Sequence, residues 1–397
     1  MNYDFDVVVA GGGPAGCTAA TLLAQHGYSV LLLEKGRHPR FHIGESMLPY
    51  SEPVIRRLGL DWSEGNVFKA GAVFIDETSG QDMFFQLSGQ AQRAYQVERA
   101  EFDRKLFDNA LAHGVDARME SQVTEVEYGP MGVQVMAEGR HYHARYFVDA
   151  TGRSALMGRR ARNIERIDTL GRFALYSHFG PIQGALADEL YTTGNIWILM
   201  VDIGWLWVIP MSERRVSIGL VVRNKKPSGM DQETLFWRYV TASPRLARLL
   251  QGAAQLWPVR SEANFSYLNR RRYGQRYISI GDAAGFLDPV FSSGVFLALT
   301  GAARAADRIH QGMMDGCEAD PNLHRPDDEA HATGFYTMYA FVERFYHSDL
   351  IHNVFFEAHR DAAIKQAISE LLAGNLWSGE NPWQGTLLRG RFALKRQ

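Results

Sequence analysis

Cysteine is nearly missing from this chain of 397 residues: Cys17 and Cys317 are the only two, at opposite ends of the sequence. So few and so far apart, they exclude a disulfide scaffold or a cysteine-rich metal cluster and fit a reducing cytoplasm. A surplus of one charge is missing too. Lys+Arg number 42 against 44 Asp+Glu, a net charge of −2, which argues against binding nucleic acid through bulk charge. No apolar run approaches the roughly 18 to 20 residues of a membrane span. The opening "MNYDFDVVVAGGG" has no basic n-region, so no signal peptide is expected and a cytoplasmic location is. Repeats and low-complexity tracts are absent. What remains, 46% hydrophobic and 22% charged residues, is the composition of an ordinary globular protein. Its length calls for two closely associated parts rather than one core.

The clearest unit is "FDVVVAGGGPAGCTAATLLAQHGYSVLLLEKG", Phe5 to Gly36. A β-branched run, Val7 to Val9, leads into Gly11, Gly13 and Gly16 at G-x-G-x-x-G spacing. A helix opening on Pro14 and Ala15 follows, then an apolar strand, Val30 to Leu33, ending at Glu34 and Lys35. The first two glycines allow a tight turn and close approach to a pyrophosphate, and Gly16 lets helix and strand pack closely. The helix N-terminus offers free N–H groups to phosphate. Glu34 sits where an acid accepts hydrogen bonds from a ribose diol. These residues are the candidate dinucleotide contacts; Cys17 and His26 read as structural.

Three later segments fix which dinucleotide. "ERAEFDRKLFDNA" places Arg99 before an amphipathic helix. "ARYFVDATGRSA" is a strand ending in Asp149-Ala150-Thr151-Gly152. "RYISIGDAAGFLDPVFSSGVFLALTGAARAADRI" is a strand, the pair Gly281-Asp282, a loop, and a small-residue helix starting near Ser293. In this order the chain resembles the glutathione-reductase-type FAD proteins of the aromatic hydroxylase branch. The resemblance implies FAD as cofactor, with Arg99 among its contacts and Asp282 at its diphosphate and ribitol. It also implies that the amides around Ser293, Gly294 and Val295 face the flavin, where the helix dipole stabilises negative charge. No second glycine-rich unit for NAD(P)H is visible, which favours flavin reduced by a separate reductase.

Between these units lie a turn, Gly44-Glu45-Ser46, and the segment "GNVFKAGAVFID", a strand that sets Lys69 among apolar residues. Such a lysine either snorkels to solvent or is desolvated into a weakly basic amine. The segment "GWLWVIPM" alternates Trp205 and Trp207 on one strand face before Pro210. Alone, the pair reads as core packing. Together, the G-E-S turn, the K-x-G strand and W-x-W-x-I-P resemble the flavin-dependent halogenases over about residues 3 to 310. That resemblance makes Lys69 the catalytic lysine, with Asn66 where the family has a phenylalanine. It makes Trp205 and Trp207 a wall between flavin and substrate, and Ser292, Ser293 and Gly294 the halide loop. The implied reaction uses FADH2: a flavin hydroperoxide oxidises chloride or bromide, and the oxidant passes to Lys69. The halogen is then delivered to an electron-rich phenol or pyrrole, free or tethered to a carrier protein. Two readings share the FAD units: a flavin hydroxylase of rings or protein residues, and a flavin reductase resembling geranylgeranyl reductases.

"GFYTMYAFVERFYHSDLIHNVFFEAHR", Gly334 to Arg360, has helical apolar period and three histidines, His347, His352 and His359. His347 and His352 are not spaced to share a helix face, and no metal site is assigned. The turn-rich stretch Asn375 to Gln384 is a candidate cover for an entrance. The expected fold is α/β: a glutathione-reductase-type FAD-binding Rossmann domain, a mainly antiparallel substrate sheet, and a helical C-terminal region. The FAD part is assigned to residues 1–60, 97–160 and 270–310, and the substrate sheet to 61–96 and 161–269. Residues 311–397 form the helical remainder. The substrate sheet should contain strands Val67–Ile75, Ile196–Val201 and Trp205–Ile209, and Met313 to Ala330 should be a surface loop.

Overall fold

The run Phe5–Ala10 alternates its side chains between two apolar cores, Val7 and Val9 into one, Val8 and Ala10 into the other. A strand apolar on both faces belongs inside a parallel sheet covered on both sides. In the computed structural model, which describes residues 2–89, 92–170, 172–223, 229–263, 265–347 and 362–389, it does. The parallel ladder runs Asp116–Arg118, Val30–Leu33, Phe5–Ala10, Arg140–Asp149, Tyr277–Ser279. A hairpin, Val123–Gly129 with Gly132–Ala137, joins it antiparallel to Arg140–Asp149. Helices Pro14–Gln25, Arg99–Ala112 and Ser293–Met314 share the core that holds Val7 and Val9. Alanines on the facing sides of the first and third (Ala19, Ala20; Ala302, Ala305, Ala306) are buried and let the helices approach closely.

A second sheet is ordered Ala254–Gln255, Arg172–Gly180, Arg215–Arg223, Gly204–Met211, Ile196–Val201, Gly71–Asp76, Gln81–Gln86. All its pairings are antiparallel except Ile196–Val201 with Gly71–Asp76. One face packs on helices Gln232–Ala242 and Pro244–Leu249, capped by Asp231 and Ser243. The other face carries Trp205, Trp207, Ile209 and Met211 into a core shared with helices Arg325–His347 and Ala362–Ala373. Among the described residues, no helix is long and apolar enough to cross a membrane.

The architecture is the expected α/β one, with three local corrections. Val67–Ile75 is not one strand: Val67–Lys69 pairs with Ala94–Gln96 in a separate two-stranded sheet, and Gly71–Asp76 starts afresh. Gly71 marks the break, since a Cβ there would lie 2.0 Å from the Phe85 carbonyl oxygen. Pro210 does not end its strand, which continues to Met211. The neighbouring strand's register stops at Trp197 opposite Val208, so Pro210 interrupts no ladder on that side. The expected loop Met313 to Ala330 shrinks to residues 315–324 between the helices ending at Met314 and starting at Arg325. His347 ends that second helix; His352 and His359 lie outside the described residues.

Candidate active site

The glycine loop has the shape of a phosphate cradle. Gly11 has φ +106°, and a Cβ there would sit 2.1 Å from the Ala150 carbonyl oxygen. A Cβ on Gly16 would lie 1.8 Å from the Gly11 oxygen, so helix and turn touch backbone to backbone. At Gly13 a Cβ would meet nothing within 4 Å. Gly13 is also the N-cap of Pro14–Gln25, with no capping side chain, Pro14 in the first turn and no acidic residue beside it. Open space in front of uncapped amides, Ala15 and Gly16 among them, fits an incoming diphosphate. Glu34 is buried. Its carboxylate accepts from Gly12 N at 2.6 Å and Gly36 N at 2.8 Å. Lys35 instead reaches the surface and donates to Ser154 Oγ at 3.2 Å. Cys17 Sγ donates to the Gly12 carbonyl at 3.2 Å, and burial pushes its thiol well up.

Arg99 is buried and heavily committed. Nε and Nη2 donate to Asp103 at 2.8 and 3.0 Å, and Nη1 to the Ile43 and Gly44 carbonyls at 2.8 and 3.1 Å. It thereby pins the segment before the G-E-S turn. Burial pushes the Asp282 carboxyl up to about 6, with Arg99 and Arg153 pulling the other way. Positions 99 and 282, distant in sequence, thus face one region. Next to it, Ser292 caps Ser293–Met314 with φ +56°, a left-handed conformation uncommon for a residue with a Cβ. No side chain caps this helix either. The amides of Ser293, Gly294 and Val295 thus form a second helix N-terminus without a capping side chain, the kind of end that suits an anion.

Lys69 is turned inward, only 1% exposed, so the snorkelling alternative does not hold. Strand alternation sends its neighbour Phe68 out instead, edge-on against Tyr95. Lys69 Nζ donates to the Met47 carbonyl at 2.8 Å, and burial alone, with no charged group opposing it, brings the amine down to about 7. Asn66 donates to the Trp62 carbonyl at 2.8 Å, a turn contact.

The two indoles are neighbours on one face, ring centroids 6.0 Å apart and planes tilted by 52°. Both N–H groups are satisfied, Trp205 Nε1 by Tyr346 Oη at 2.8 Å and Trp207 Nε1 by Ser217 Oγ at 3.1 Å. Gly219 on the next strand makes room for Trp207: a Cβ there would be 2.1 Å from the ring. The indoles share their core with Leu287, Val290, Phe291 and Phe296, the residues on either side of Ser292–Val295. Trp377, in the stretch read as an entrance cover, packs on Phe296 and donates to the Ala330 carbonyl, so this stretch is anchored inward.

Two pairs escaped the sequence reading. Glu45 Oε1 lies 2.6 Å from His178 Nε2, both buried. Tyr346 Oη lies 3.1 Å from each carboxylate oxygen of Asp288. Glu45 was visible as the centre of the G-E-S turn and Asp288 as the acid before Pro289; their partners come from remote strands and helices and carry no local signal. No group of three or more metal-ligating side chains occurs among the described residues.

The sequence model of a family described as tryptophan halogenase matches residues 6–93 and 81–385. A 1H-pyrrole-2-carbonyl-[peptidyl-carrier protein] chlorinase of Pseudomonas fluorescens is 30% identical over 96% of this chain and 91% of its own length. The corresponding brominase of Pseudoalteromonas luteoviolacea is 31% identical over 78% of each. Among solved structures, a flavin-dependent brominase superposes with a TM-score of 0.84 at 26% identity, covering 96% of this chain and 97% of that one. A flavoprotein/dehydrogenase from Cytophaga hutchinsonii gives 0.86 at 27% identity, over 96% and 95%.

Proposed function

The chain belongs to the tryptophan-halogenase family of flavin-dependent halogenases, and from that premise we propose that it chlorinates or brominates a pyrrole or phenol ring tethered to a carrier protein. Like the pyrrole-2-carbonyl chlorinase and brominase it resembles, it would take a ring presented on a carrier. Gly11, Gly13, Gly16 and Glu34 would hold the adenosine and diphosphate end of FAD, with Arg99 and Asp282 as its contacts toward the ribitol. FAD, reduced by a separate flavin reductase, supplies the two electrons that activate oxygen for oxidation of the halide. At the Ser292–Gly294 loop the uncapped amides of Ser293 and Gly294 hold the halide, where the helix dipole favours an anion. Trp205 and Trp207 keep the substrate from the flavin by bulk; an indole neither gives nor takes protons near pH 7.

The observation that carries the reading is Lys69: buried, with no counter-ion among the described residues, bonded to a carbonyl, and weakened as a base to about 7. An ordinary surface lysine is fully protonated at neutral pH and its nitrogen has no lone pair. Lys69 is poised between the two forms. It holds hypohalous acid by hydrogen bond, or as a haloamine, and directs it at the ring. A carbon–halogen bond then forms, the ring loses the proton it replaces, and water leaves.

The test is mass spectrometry of products formed with a flavin reductase, oxygen and chloride or bromide, on free and carrier-bound pyrroles and phenols. A halogen isotope pattern on the carrier-bound ring is expected. A product heavier by one oxygen whether or not halide is present would overturn the reading. Lys69→Ala should abolish halogenation while reduced flavin continues to be oxidised; undiminished halogenation would refute the lysine's role.

A further inference from the structure

A directional chain of hydrogen bonds joins the tryptophan strand to the loop before Ser293. An indole N–H can only donate, and the Trp205 N–H reaches Tyr346 Oη at 2.8 Å. The phenol then has one proton left to give, and it faces Asp288, 3.1 Å from each carboxylate oxygen. Asp288 Oδ1 in turn accepts from Val290 N at 3.0 Å, closing the turn Pro289–Phe291. The residue that leaves this turn is Ser292, in its left-handed conformation. All three side chains are sealed from water: Trp205 is 1%, Asp288 2% and Tyr346 5% exposed.

Tyr346 is held as firmly as the groups it joins. The Arg172 guanidinium lies over its ring, 4.1 Å from the centroid, and Arg223 Nη1 donates to its backbone carbonyl at 2.7 Å. Phe345 beside it packs edge-on against Phe291. A residue at the end of helix Arg325–His347 therefore reaches across to the turn that sets the amides of Ser293 and Gly294. Packing alone does not require this. A phenylalanine would fill the ring's volume, but it would leave the Trp205 N–H and the Asp288 carboxylate buried with one partner fewer.

We propose that Tyr346 is a positioning residue for the halide, relaying the Trp205 N–H to Asp288 so that the amides of Ser293 and Gly294 keep the geometry that binds the anion. This rests on the reading of residues 292–294 as the halide loop. Trp205 then has a second task besides bulk: its N–H orients the phenol.

Tyr346→Phe keeps the ring under Arg172 and removes only the relay. It should raise the apparent KM for bromide about tenfold, with kcat at saturating bromide reduced less than twofold and FAD affinity unchanged. Crystals of the FAD-loaded variant grown in bromide should show a weakened anomalous bromide peak at Ser292–Gly294. Trp205→Phe should raise the bromide KM similarly, and the double variant should add little to either single change. The proposal is overturned if Tyr346→Phe keeps the wild-type bromide KM and peak height, or if the two substitutions simply add. If the wild-type protein halogenates nothing and shows no bromide at the loop, the halide-loop reading falls with it.

Discussion

His178 Nε2 lies 2.6 Å from Glu45 Oε1, deep between the second sheet and the G-E-S turn. The Glu45 carbonyl also accepts from Val97 N at 2.8 Å, and two residues on the Met47 carbonyl receives Lys69. One acid thus fixes the backbone that holds the lysine. Glu45→Ala strands the His178 ring in the interior and should lower the unfolding free energy by about 1 to 3 kcal/mol, read from urea denaturation. Glu45→Gln, which keeps an acceptor, should lose less than half of that. A loss under about 0.5 kcal/mol for the alanine variant would show that the pair does not brace the turn.

The pH dependence of stability reports on Lys69. Its amine titrates near 10.5 in the unfolded chain and about 7 in the folded one. Between these values the unfolded state binds more protons, so this group's contribution falls as pH drops from about 10 to 7 and is level below that. Lys69→Met removes the term. The melting temperature of the variant should exceed wild type, by a margin that grows from pH ~10 down to ~7 and then stays constant. A margin that shrinks over that range would mean the lysine has a counter-charge in solution.

Neighbouring glycines in the cradle should respond oppositely to alanine. At Gly16 the added Cβ would meet the Gly11 oxygen at 1.8 Å, so Gly16→Ala should unfold or grossly destabilise the FAD-free protein. At Gly13 the Cβ enters open space at an extended backbone. Gly13→Ala should leave the FAD-free protein within about 1 kcal/mol of wild type while weakening FAD binding at least about tenfold. Calorimetric titration with FAD reads the second effect; equal affinity would mean the diphosphate lies elsewhere.

Gly219 offers a test of the proposed indole wall without touching either tryptophan. Gly219→Ala puts a methyl 2.1 Å from the Trp207 ring, and overpacking of this kind costs about 1 to 3 kcal/mol. The displaced indole should lose its Ser217 bond and let oxygenated product appear beside halogenated product. Halogenated product alone, from a variant shown by crystallography to have moved Trp207, would argue against exclusion by the wall.

The parts of the molecule legible from residue order are those built from neighbours in sequence. The strand–turn–helix at Phe5–Gln25, the two indoles on one face, and the helix start at Ser293 each follow from local period and glycine placement. The break at Ala70 was hidden because the β-prone residues on either side, Val67 and Phe68 before it and Val73 to Ile75 after it, read as one strand, while their pairing partners are different strands. Pro210 misled because its tolerance depends on where the adjacent strand stops. Lys69 was undecidable between water and core until Met47 arrived from another segment. Glu45–His178 and Asp288–Tyr346 were beyond reach for the same reason: each is a long-range pair of residue types that are individually common.

The Cys17 thiol, tucked against the glycine loop with its hydrogen on the Gly12 carbonyl, has a consequence for the enzyme's lifetime. Reactivity toward electrophiles belongs to the thiolate, and burial holds this sulfur protonated and unreachable. A halogenase working through the proposed electrophilic halogen species would thus keep its inner sulfhydryl out of that species' reach. Cys317, exposed in the turn after the long helix, has no such shelter and would be open to any oxidant that escapes.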